Sequence, residues 1–506
     1  MFLSYLLDAY VSVEGNRLNW YRQNQRAIRA ENYQNIVDFV NGPEPANLNN
    51  QNQNNNLNQN NNQNQNNNLN QNNNLNQNNL NANRTNNIND GRVNLNNDDV
   101  TVNQFDNQGN RIGRRVILPS TFIGSVRNLK QQYNDAMAIV LQEGQPDLFI
   151  TMTSNSEWPE IRREMELSRT QSIFRPDIES RVFKIKLDEL IKLITKNHIF
   201  GVPIAHLHVI EYQMRGHPHA HILITLRQED KVRNSVELID SIVSAELPDQ
   251  VTHPRLYSIV TKFMVHGPCG DYNPGLACMN DNRNNRNPLN QHVPVVNCCS
   301  KYYPKPFCDQ TVAEFNQYPI YRRRDNGRSY IINNRNRGEY RVTNRDIVPY
   351  NAYLLLKFNC HINVECCTTM KCVKYLYKYV YKGHDRGMVR LEDEIETYID
   401  CRYLCAQEAS WRLFKFEMSH RSHVIYRMNI HLPNQQEMYF VEGEEQIAVD
   451  RGRNQMTKLL AWFDLNRNDP NANAMTYCEV GKHYVWNNNR WTPRRVIIFI
   501  IYLSFS

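Results

Sequence analysis

The chain has 506 residues, which corresponds to roughly two to four domains and allows several hydrophobic cores. Hydrophobic residues make up 41% of it, with 27 Tyr and 18 Phe, and this composition excludes a protein that is disordered throughout. No apolar run reaches the ~20 residues that a membrane span needs, so we expect no membrane partner. The net charge of +7 permits a nucleic-acid partner without requiring one.

The N-terminal region combines a predicted helical segment with a low-complexity tract. Apolar residues recur at helical spacing, and we expect a helical segment over residues 1–42. Residues 43–111 contain the tract 47–97, which is dominated by Asn, Gln and Leu. Such a composition has too few core-forming residues to offset the entropy lost on ordering. We therefore predict a disordered insertion that acts as a neutral spacer.

Downstream of this insertion, alternating and helix-spaced patterns predict a region of mixed helix and strand. We expect a strand at 147–153, an amphipathic helix at 182–199, and strands at 206–212 and 219–226 joined by a tight turn. Residues 253–311 are rich in Cys, Gly, Pro and Asn and should be irregular. Further predicted elements are an apolar stretch at 350–358, helices at 369–382 and 392–416, and strands at 423–431 and 438–441.

The predicted strand that begins this region places three polar side chains of 149–155 on one face. They are Thr151, Thr153 and Asn155. This strand can lie beside the histidine-bearing strand at 219–226, where the three side chains would contact the backbone or the bases of DNA. By itself the segment has the pattern of an ordinary edge or central strand.

The strand predicted at 219–226 carries two histidines on one face. Successive side chains of a strand point to opposite faces, so His219 and His221 share one face while Ala220 and Ile222 share the other. The apolar face can pack against helices, and the histidine face presents two imidazoles side by side. Two histidines at this spacing suit a divalent metal, although such a pair by itself is more often an ordinary polar face.

Side chains of the preceding strand add to this pair. A hairpin can bring Glu211 beside the imidazoles. One carboxylate with two imidazoles leaves coordination positions open, which suits Mg²⁺ or Mn²⁺ acting as a Lewis acid. Gln213 lies on the same strand face and is an accessory candidate. His206 and His217 are further candidates, although a histidine at a turn or strand end is more often solvated.

The helix predicted at 369–382 carries paired tyrosines. At about 100° per residue, Tyr375 and Tyr379 lie together opposite an aliphatic stripe, next to Lys378 and Lys382. Tyrosines four residues apart usually pack in a core, but here the stripe already supplies a core face. The two tyrosines are therefore candidate nucleophiles, because nearby lysines and a metal-bound phosphate favour the phenolate that attack requires.

The order of these elements resembles that of a known family. F-x-T-x-T-x-N at 149–155, P-H-A-H at 218–221 and Y-x-x-K-Y at 375–379 are similar to motifs of the HUH relaxase and replication-initiator endonucleases. The closer resemblance is to the Rep-like (helitron helicase-like) domain of Helitron rolling-circle transposases. It includes PDLFITMTSNSEWPEI at 146–161 and VIEYQMRGHPHAHILITL at 209–226, and it spans nearly all of the chain outside the Asn-rich tract and the tail.

The resemblance implies a reaction and residues that perform it. His219 and His221 match the paired histidines of the metal site, and Glu211 occupies the place of a third ligand. Tyr375 and Tyr379 match two nucleophilic tyrosines. The implied reaction is metal-assisted transesterification of single-stranded DNA at transposon ends, through a 5′-phosphotyrosine and with release of a 3′-OH.

Three features depart from the family, and one of them is the Asn-rich tract, which interrupts a normally compact N-terminal part. His217 stands where the family usually has Leu before the Pro of the histidine motif. The G-x-x-x-x-G-K-[ST] phosphate loop of the helicase that follows in full-length relatives is not found in this sequence. We therefore expect no ATPase or helicase activity from the chain, and a separate helicase as a partner.

Most of the twelve Cys lie between residues 269 and 405, which favours reduced thiols over a secreted disulfide scaffold. The basic run at 322–324 that follows the densest group has the pattern of a solvated face or of a groove for the DNA backbone. A structural Zn²⁺ and plain buried thiols are equal alternatives for the cluster. The zinc ligands would be His266, Cys269, Cys278 and Cys299, with Cys298 and Cys308 as substitutes.

We expect an α+β fold with an HUH-type central antiparallel sheet, helices packed behind it and the metal site on its open face. The lead function is nicking and joining of single-stranded DNA in the nucleus. The alternatives are a catalytically inert DNA-binding remnant of a transposon protein and a zinc-stabilised interaction module. The expected order is the helical segment (1–42), the insertion (43–111), the endonuclease domain (112–416) with a Cys-rich segment (264–308), a mixed extension (417–495) and an apolar tail (496–506) that is a candidate for non-native sequence.

Overall fold

The structure, a computed structural model, describes these parts of the chain: residues 2–25, 30–32, 36–37, 104–105, 111–112, 116–212, 216–280, 286–287, 290–294, 299–313, 317–368, 394–400, 404–440, 444–495 and 501–505. Within them, every helix is too short or too polar to cross a membrane.

Helices and strands alternate along these parts of the chain. The α-helices are α1 (Phe2–Gln23), α2 (Val126–Glu143), α3 (Pro159–Ser168), α4 (Pro176–Thr195), α5 (Val236–Ile242), α6 (Pro254–Phe263), α7 (Ala277–Asn280), α8 (Ala352–Phe358), α9 (Glu394–Asp400), α10 (Ala406–Leu413), α11 (Glu445–Arg453), α12 (Lys458–Asn468) and α13 (Val480–His483). The strands are β1 (Ala30–Asn32), β2 (Gln104–Phe105), β3 (Arg111–Ile112), β4 (Leu148–Thr153), β5 (Pro203–Tyr212), β6 (Pro218–Leu226), β7 (Arg286–Asn287), β8 (Asn290–Pro294), β9 (Tyr330–Asn334), β10 (Gly338–Val342), β11 (Ile362–Cys366), β12 (Ser419–Arg421), β13 (Ile425–Asn429), β14 (Glu437–Tyr439), β15 (Tyr484–Asn487), β16 (Arg490–Pro493) and β17 (Ile501–Phe505).

A five-stranded sheet forms the framework of the molecule. Its order is β11–β4–β6–β5–β12, and each neighbouring pair is antiparallel. The strand predicted at 147–153 is β4, and the predicted hairpin is formed by β5 and β6. The expectation of a mixed fold with a central antiparallel sheet is therefore confirmed.

The two faces of β6 divide as the alternation predicts. Ala220, Ile222, Ile224 and Leu226 are fully buried in the largest hydrophobic core of the described residues. This core also contains apolar residues of α3, α4, α6 and α8, so these helices pack behind the sheet. On the histidine face, Leu223 packs with residues of α2. Helix α2 thus covers one end of that face, and the histidines lie towards the other end.

Helix α4 begins six residues before its predicted start and ends at Thr195 instead of residue 199. Pro176 occupies the first turn, where its missing N–H group costs nothing, and Asp177 and Glu179 complement the helix dipole there. The helix packs against the sheet through apolar residues at helical spacing, namely Phe183, Leu187, Leu190 and Ile194.

Three predicted segments differ from the structure. The N-terminal helix ends at Gln23, and β1 pairs with β14 instead of continuing the helical segment to residue 42. At the end of the expected insertion, β2 and β3 form an antiparallel pair. The region 253–311, which we expected to be irregular, contains α6, which Pro254 initiates at its first turn.

The helix predicted at 392–416 is interrupted. Helix α9 ends at Asp400, and α10 begins after Cys405, which has extended backbone dihedrals and caps the new helix through its Sγ and the backbone N–H of Glu408. The sequence does not indicate this break, because cysteine is not one of the residues that usually cap the start of a helix.

The C-terminal part has a small core of its own. Strand β13 pairs in parallel with β17, so the apolar tail forms a strand beside 425–429. Strand β12, three residues past the boundary expected at 416, belongs to the central sheet through its pairing with β5. The small core contains Met428, Leu459, Ala461, Ala472, Tyr477, Val480, Tyr484 and Trp491.

Candidate functional site

The registers of three strands bring the predicted metal ligands together. His219 lies opposite Thr153 of β4 and opposite Glu211 of β5. His221 lies opposite Thr151 of β4 in the same way. Side chains that face each other across antiparallel strands are direct neighbours, so these five residues form one cluster on the histidine face.

Hydrogen bonds orient both imidazoles. Thr153 Oγ1 lies 2.9 Å from His219 Nδ1, and Thr151 Oγ1 lies 3.1 Å from His221 Nδ1. The other ring nitrogen of His221, Nε2, lies 2.8 Å from Glu211 Oε2. The threonine hydroxyls therefore occupy the Nδ1 side of each ring, and Nε2 of His221 faces the carboxylate.

The site is largely shielded from solvent. The side chains of His221 and Glu211 are 6% and 12% exposed, and the ring of Phe149 stacks on His221 with 5.9 Å between centroids. Burial, and then the neighbouring His221, lower the pKa of His219 to about 4. His219 is therefore neutral near pH 7 and keeps a nitrogen lone pair for a ligand.

A third histidine reaches this network. His361 precedes β11, and its Nδ1 lies 3.3 Å from Thr153 Oγ1. Burial lowers the pKa of His361 to about 4, so it too is neutral near pH 7. Sequence reasoning missed His361, because the pairing of β11 with β4 joins segments about two hundred residues apart. Its position one residue before a buried alternating strand was the available signal.

The other two candidate histidines lie elsewhere. His217 Nδ1 contacts the buried carboxylate of Glu179 on α4 at 2.6 Å, and Glu179 also accepts a hydrogen bond from Ser154. The half-exposed side chain of His217 is therefore held against α4. His206 lies near the opposite end of β5, where its ring stacks on His420 of β12.

The predicted DNA-contacting side chains take part in internal hydrogen bonds. Thr151 and Thr153 contact the two imidazoles. Asn155, 7% exposed, donates from Nδ2 to the carbonyl of Asn359 and accepts at Oδ1 from the backbone N–H of Glu157. These bonds position the end of β4 beside α8, and contact of the three side chains with DNA stays a prediction.

The remaining catalytic predictions fall outside the described residues. These are the two tyrosines, their neighbouring lysines and the accessory amide, that is Tyr375, Tyr379, Lys378, Lys382 and Gln213.

The Cys-rich segment contains a second cluster. One ligand atom from each of His266, Cys269, Cys278 and Cys299 lies within 4.8 Å of every other. These four side chains are therefore close enough together to hold a metal ion. Of the two substitutes, Cys308 lies outside the cluster, and Cys298 is not among the described residues.

The basic run at 322–324 is divided between the core and the surface, and its contact with DNA stays a prediction. Arg323 is 3% exposed, and Arg322 and Arg324 form ion pairs with Asp240 and Glu246. A buried guanidinium requires acceptors, and the local sequence does not reveal that carbonyls from two distant segments, at 245 and at 344–347, supply them. Nη1 of Arg323 lies 2.6–3.2 Å from the carbonyl oxygens of Ala245, Asn344 and Ile347.

Comparison with known proteins finds a match that contains the histidine cluster. Residues 50–224 match the family model described as the Helitron helicase-like domain at the N-terminus. Over this range the chain is similar to that family, and the expected resemblance to Helitron proteins is confirmed there. The match includes β4, β5 and most of β6, and it ends before Tyr375 and Tyr379. No curated protein matches the chain.

Proposed function

We propose that this chain is a metal-dependent enzyme that nicks and transfers single-stranded DNA in Helitron rolling-circle transposition. The observation that carries the proposal is the cluster of His219, His221 and Glu211 on one face of the central sheet, within the Helitron helicase-like domain. A transposon-associated role follows from the domain itself. The substrate, single-stranded DNA at transposon ends, and the location, the nucleus, are parts of the proposal.

The donor set of the cluster fits a divalent cation. Imidazole nitrogens and a carboxylate oxygen are ligands of Mn²⁺, and carboxylate oxygen is a ligand of Mg²⁺. A cation shared by the three side chains would take the place of the His221–Glu211 hydrogen bond. Mg²⁺ or Mn²⁺ bound there would supply Lewis-acid polarisation of the scissile phosphate.

The other groups of the cluster fit the same role. Thr151 and Thr153 occupy the Nδ1 sides of the imidazoles, which leaves the Nε2 sides for a ligand. Outer contacts of this kind fix the orientation of metal-binding histidines in many proteins. The low pKa of His219 keeps its ring neutral, which is the form that binds a metal.

The covalent step exchanges one phosphate ester for another. The phenolic oxygen of Tyr375 or Tyr379 loses its proton and forms a bond to the scissile phosphorus. The bond from phosphorus to the 3′ oxygen of the DNA breaks, and that oxygen takes up a proton. The protein becomes linked to the 5′ phosphate, so rejoining needs no ATP, and the second tyrosine permits a second transfer. Lys378 and Lys382 would favour the phenolate.

A covalent-adduct assay tests the proposal. The full chain is incubated with end-labelled single-stranded DNA of transposon-end sequence and Mn²⁺, and the protein is separated under denaturing conditions. We expect label to migrate with the protein, and a chelator to abolish it. The double variant His219→Ala/His221→Ala should lose the adduct, and His253→Ala, an exposed histidine outside the cluster, should keep it.

The tyrosines have matched controls as well. The double variant Tyr375→Phe/Tyr379→Phe should form no adduct, whereas Tyr353→Phe, which alters an exposed tyrosine of α8, should form it normally. Salt-sensitive binding of DNA without an adduct under any metal condition would contradict the proposal and indicate the inert remnant instead.

A further inference from the structure

We infer that His266, Cys269, Cys278 and Cys299 bind one zinc ion that ties the Cys-rich segment to the core. Their ligand atoms all lie within 4.8 Å of one another, and His266 Nε2 lies 3.2 Å from Cys299 Sγ. Tetrahedral zinc with bonds of about 2.0 Å to nitrogen and about 2.3 Å to sulfur needs ligand separations of about 3.5–3.8 Å. The four side chains are thus close to the required arrangement.

The backbone between the first two ligands is shaped for this arrangement. Gly267 has φ +91°, and a Cβ at this position would lie 2.5 Å from the backbone nitrogen of Cys269. Gly270 follows Cys269 with φ +74°. The two glycines let the chain turn sharply, so that the imidazole of His266 and the thiol of Cys269 reach the same point.

One backbone hydrogen bond links the cluster to a distant part of the chain, and other contacts join the parts of the Cys-rich segment to each other. The backbone N–H of His266 donates to the carbonyl of Asp346 at 2.9 Å. The imidazole ring of His266 stacks on Tyr303 with 4.2 Å between centroids. The N–H of Ser300 donates to the carbonyl of Cys278 at 2.8 Å. The bond between Ser300 and Cys278 joins the segment that precedes residues 281–298 to the segment that follows them.

The composition of the cluster selects the metal. Three thiols and one imidazole are soft donors that favour zinc over Mg²⁺ or Mn²⁺. Four protein ligands fill the tetrahedral positions and leave none for water or substrate, which is the arrangement of a structural site. The ion would therefore stabilise the fold and would be separate from the cation proposed at His219.

Plain buried thiols are the alternative, and other cysteines of this chain show what those look like. Cys360 and Cys366 are each buried within the large apolar core. In the cluster, three thiols and one imidazole lie next to one another instead. A bound divalent cation would offset the repulsion that thiolates meet in such a group.

Metal content of matched variants tests the inference. The full chain and its variants are purified without chelator, and zinc is measured by inductively coupled plasma mass spectrometry. We expect Cys269→Ser and Cys299→Ser each to lose one equivalent of zinc per chain relative to the wild type. Cys478→Ser, which alters a half-buried thiol outside the cluster, should lose none. The double variant His219→Ala/His221→Ala should retain this equivalent, which separates the inference from the proposed nuclease site.

If the cysteine variants fail to fold, cobalt substitution of the wild-type chain tests whether the cluster binds a metal. Co²⁺ bound by three thiolates and an imidazole in tetrahedral geometry gives intense visible bands and thiolate charge-transfer bands, and zinc should abolish both by displacement. A wild-type chain that holds no zinc and shows no charge-transfer band with Co²⁺ would overturn the inference. So would an equivalent of zinc that persists in a folded Cys269→Ser variant.

Discussion

At the scale of single residues, the threonines of β4 act on the histidines of β6. Their hydroxyls lie at hydrogen-bond distance from Nδ1 of His219 and His221, so the orientation of each imidazole depends on a side chain of the neighbouring strand. Outer contacts of this kind typically change metal affinity by about 10–100-fold when removed. In the proposed metal site, the threonines of the F-x-T-x-T-x-N motif would therefore act by orienting the two imidazoles.

The substitution Thr153→Val tests this role, because it keeps the shape of the side chain and removes the hydroxyl. We expect Mn²⁺ affinity, measured by isothermal titration calorimetry, to fall by about 10–100-fold. Thr153→Ser retains the hydroxyl and should remain within a few-fold of the wild type. Unchanged Mn²⁺ affinity together with weaker binding of single-stranded DNA would favour the DNA-contact role instead.

Arg323 provides a second prediction at this scale. Its guanidinium is buried among three carbonyl oxygens, and removal of a donor that serves buried acceptors costs about 1–3 kcal/mol for each group left unsatisfied. We expect Arg323→Ala to reduce the free energy of unfolding in urea by about 3 kcal/mol or more. Arg322→Ala, which removes a half-exposed ion pair, should cost about 1 kcal/mol or less. Similar losses for the two variants would contradict the structural role of Arg323.

These residues show which features of the site could be predicted from the sequence. The alternation of β6 predicts which side chains share the histidine face, because that property is local. The partners of those side chains depend on registers between segments far apart in the chain, such as Thr153 with His219 or His361. The burial of Arg323 likewise depends on carbonyls of two segments distant in the sequence, and a run of three arginines has the same local pattern whether it is buried or exposed.

At the scale of elements, the edge of the sheet where β12 joins β5 carries a group of stacked histidines. The rings of His206 and His208 stack on that of His420, at 5.8 and 5.4 Å between centroids. Burial, and then the neighbouring His420, lower the pKa of His206 to about 4 and that of His208 to about 3. His423 and Lys184 add positive charge nearby and act in the same direction.

This edge predicts a loss of stability in acid. The ordinary histidine pKa is 6.5, so the unfolded chain binds more protons than the folded chain between pH 6.5 and about 3. Stability contributed by the neutral rings is therefore complete above pH 6.5 and decreases as the pH falls through this window. For His208 the loss amounts to about 2 kcal/mol by pH 5.

The variant His208→Gln isolates this contribution, because glutamine does not titrate. We expect its melting temperature to fall less between pH 7 and pH 5 than that of the wild type, as measured by differential scanning calorimetry. His253→Gln, which alters an exposed histidine, should follow the wild type. Equal decreases for His208→Gln and the wild type would show that this histidine does not contribute.

Element boundaries were less predictable than the elements themselves. The hairpin of β5 and β6 was predicted closely, because alternation and a turn define it locally. The break before α10 was missed, since Cys405 caps the helix through a thiol that ordinary capping signals do not include. No strand is predicted at 419–421, within the expected extension 417–495, because three residues carry too little periodicity to reveal their pairing with β5.

At the scale of the whole molecule, one large core joins the sheet with the helices behind it, and a smaller core lies in the C-terminal part. The class of fold was predictable from the sequence, since hydrophobic periodicity indicates which elements form. The order of strands was not, because β11 and β12 join the sheet from positions far along the chain. The net charge of +7 is a property of the whole chain and bears on its proposed DNA partner.

Binding of single-stranded DNA should therefore depend on salt and be separable from chemistry. We expect the affinity, measured by fluorescence anisotropy, to fall steeply as the salt concentration rises, since contacts with phosphates release counterions. The double variant His219→Ala/His221→Ala should bind DNA nearly as well as the wild type in the presence of chelator while forming no adduct. Affinity that is independent of salt would contradict a backbone-directed partner.

The most direct test of the nuclease proposal is identification of the amino acid that becomes linked to DNA. After reaction with Mn²⁺ and single-stranded DNA, the adduct is digested with nuclease and trypsin and analysed by mass spectrometry. Cleavage after Lys374, Lys378 and Lys382 places Tyr375 and Tyr379 in different peptides, YLYK and YVYK. We predict a nucleotide phosphate on Tyr375 or Tyr379, and its loss in His219→Ala/His221→Ala. A nucleotide on any other residue, or none under conditions in which the chain binds DNA and Mn²⁺, would contradict the account.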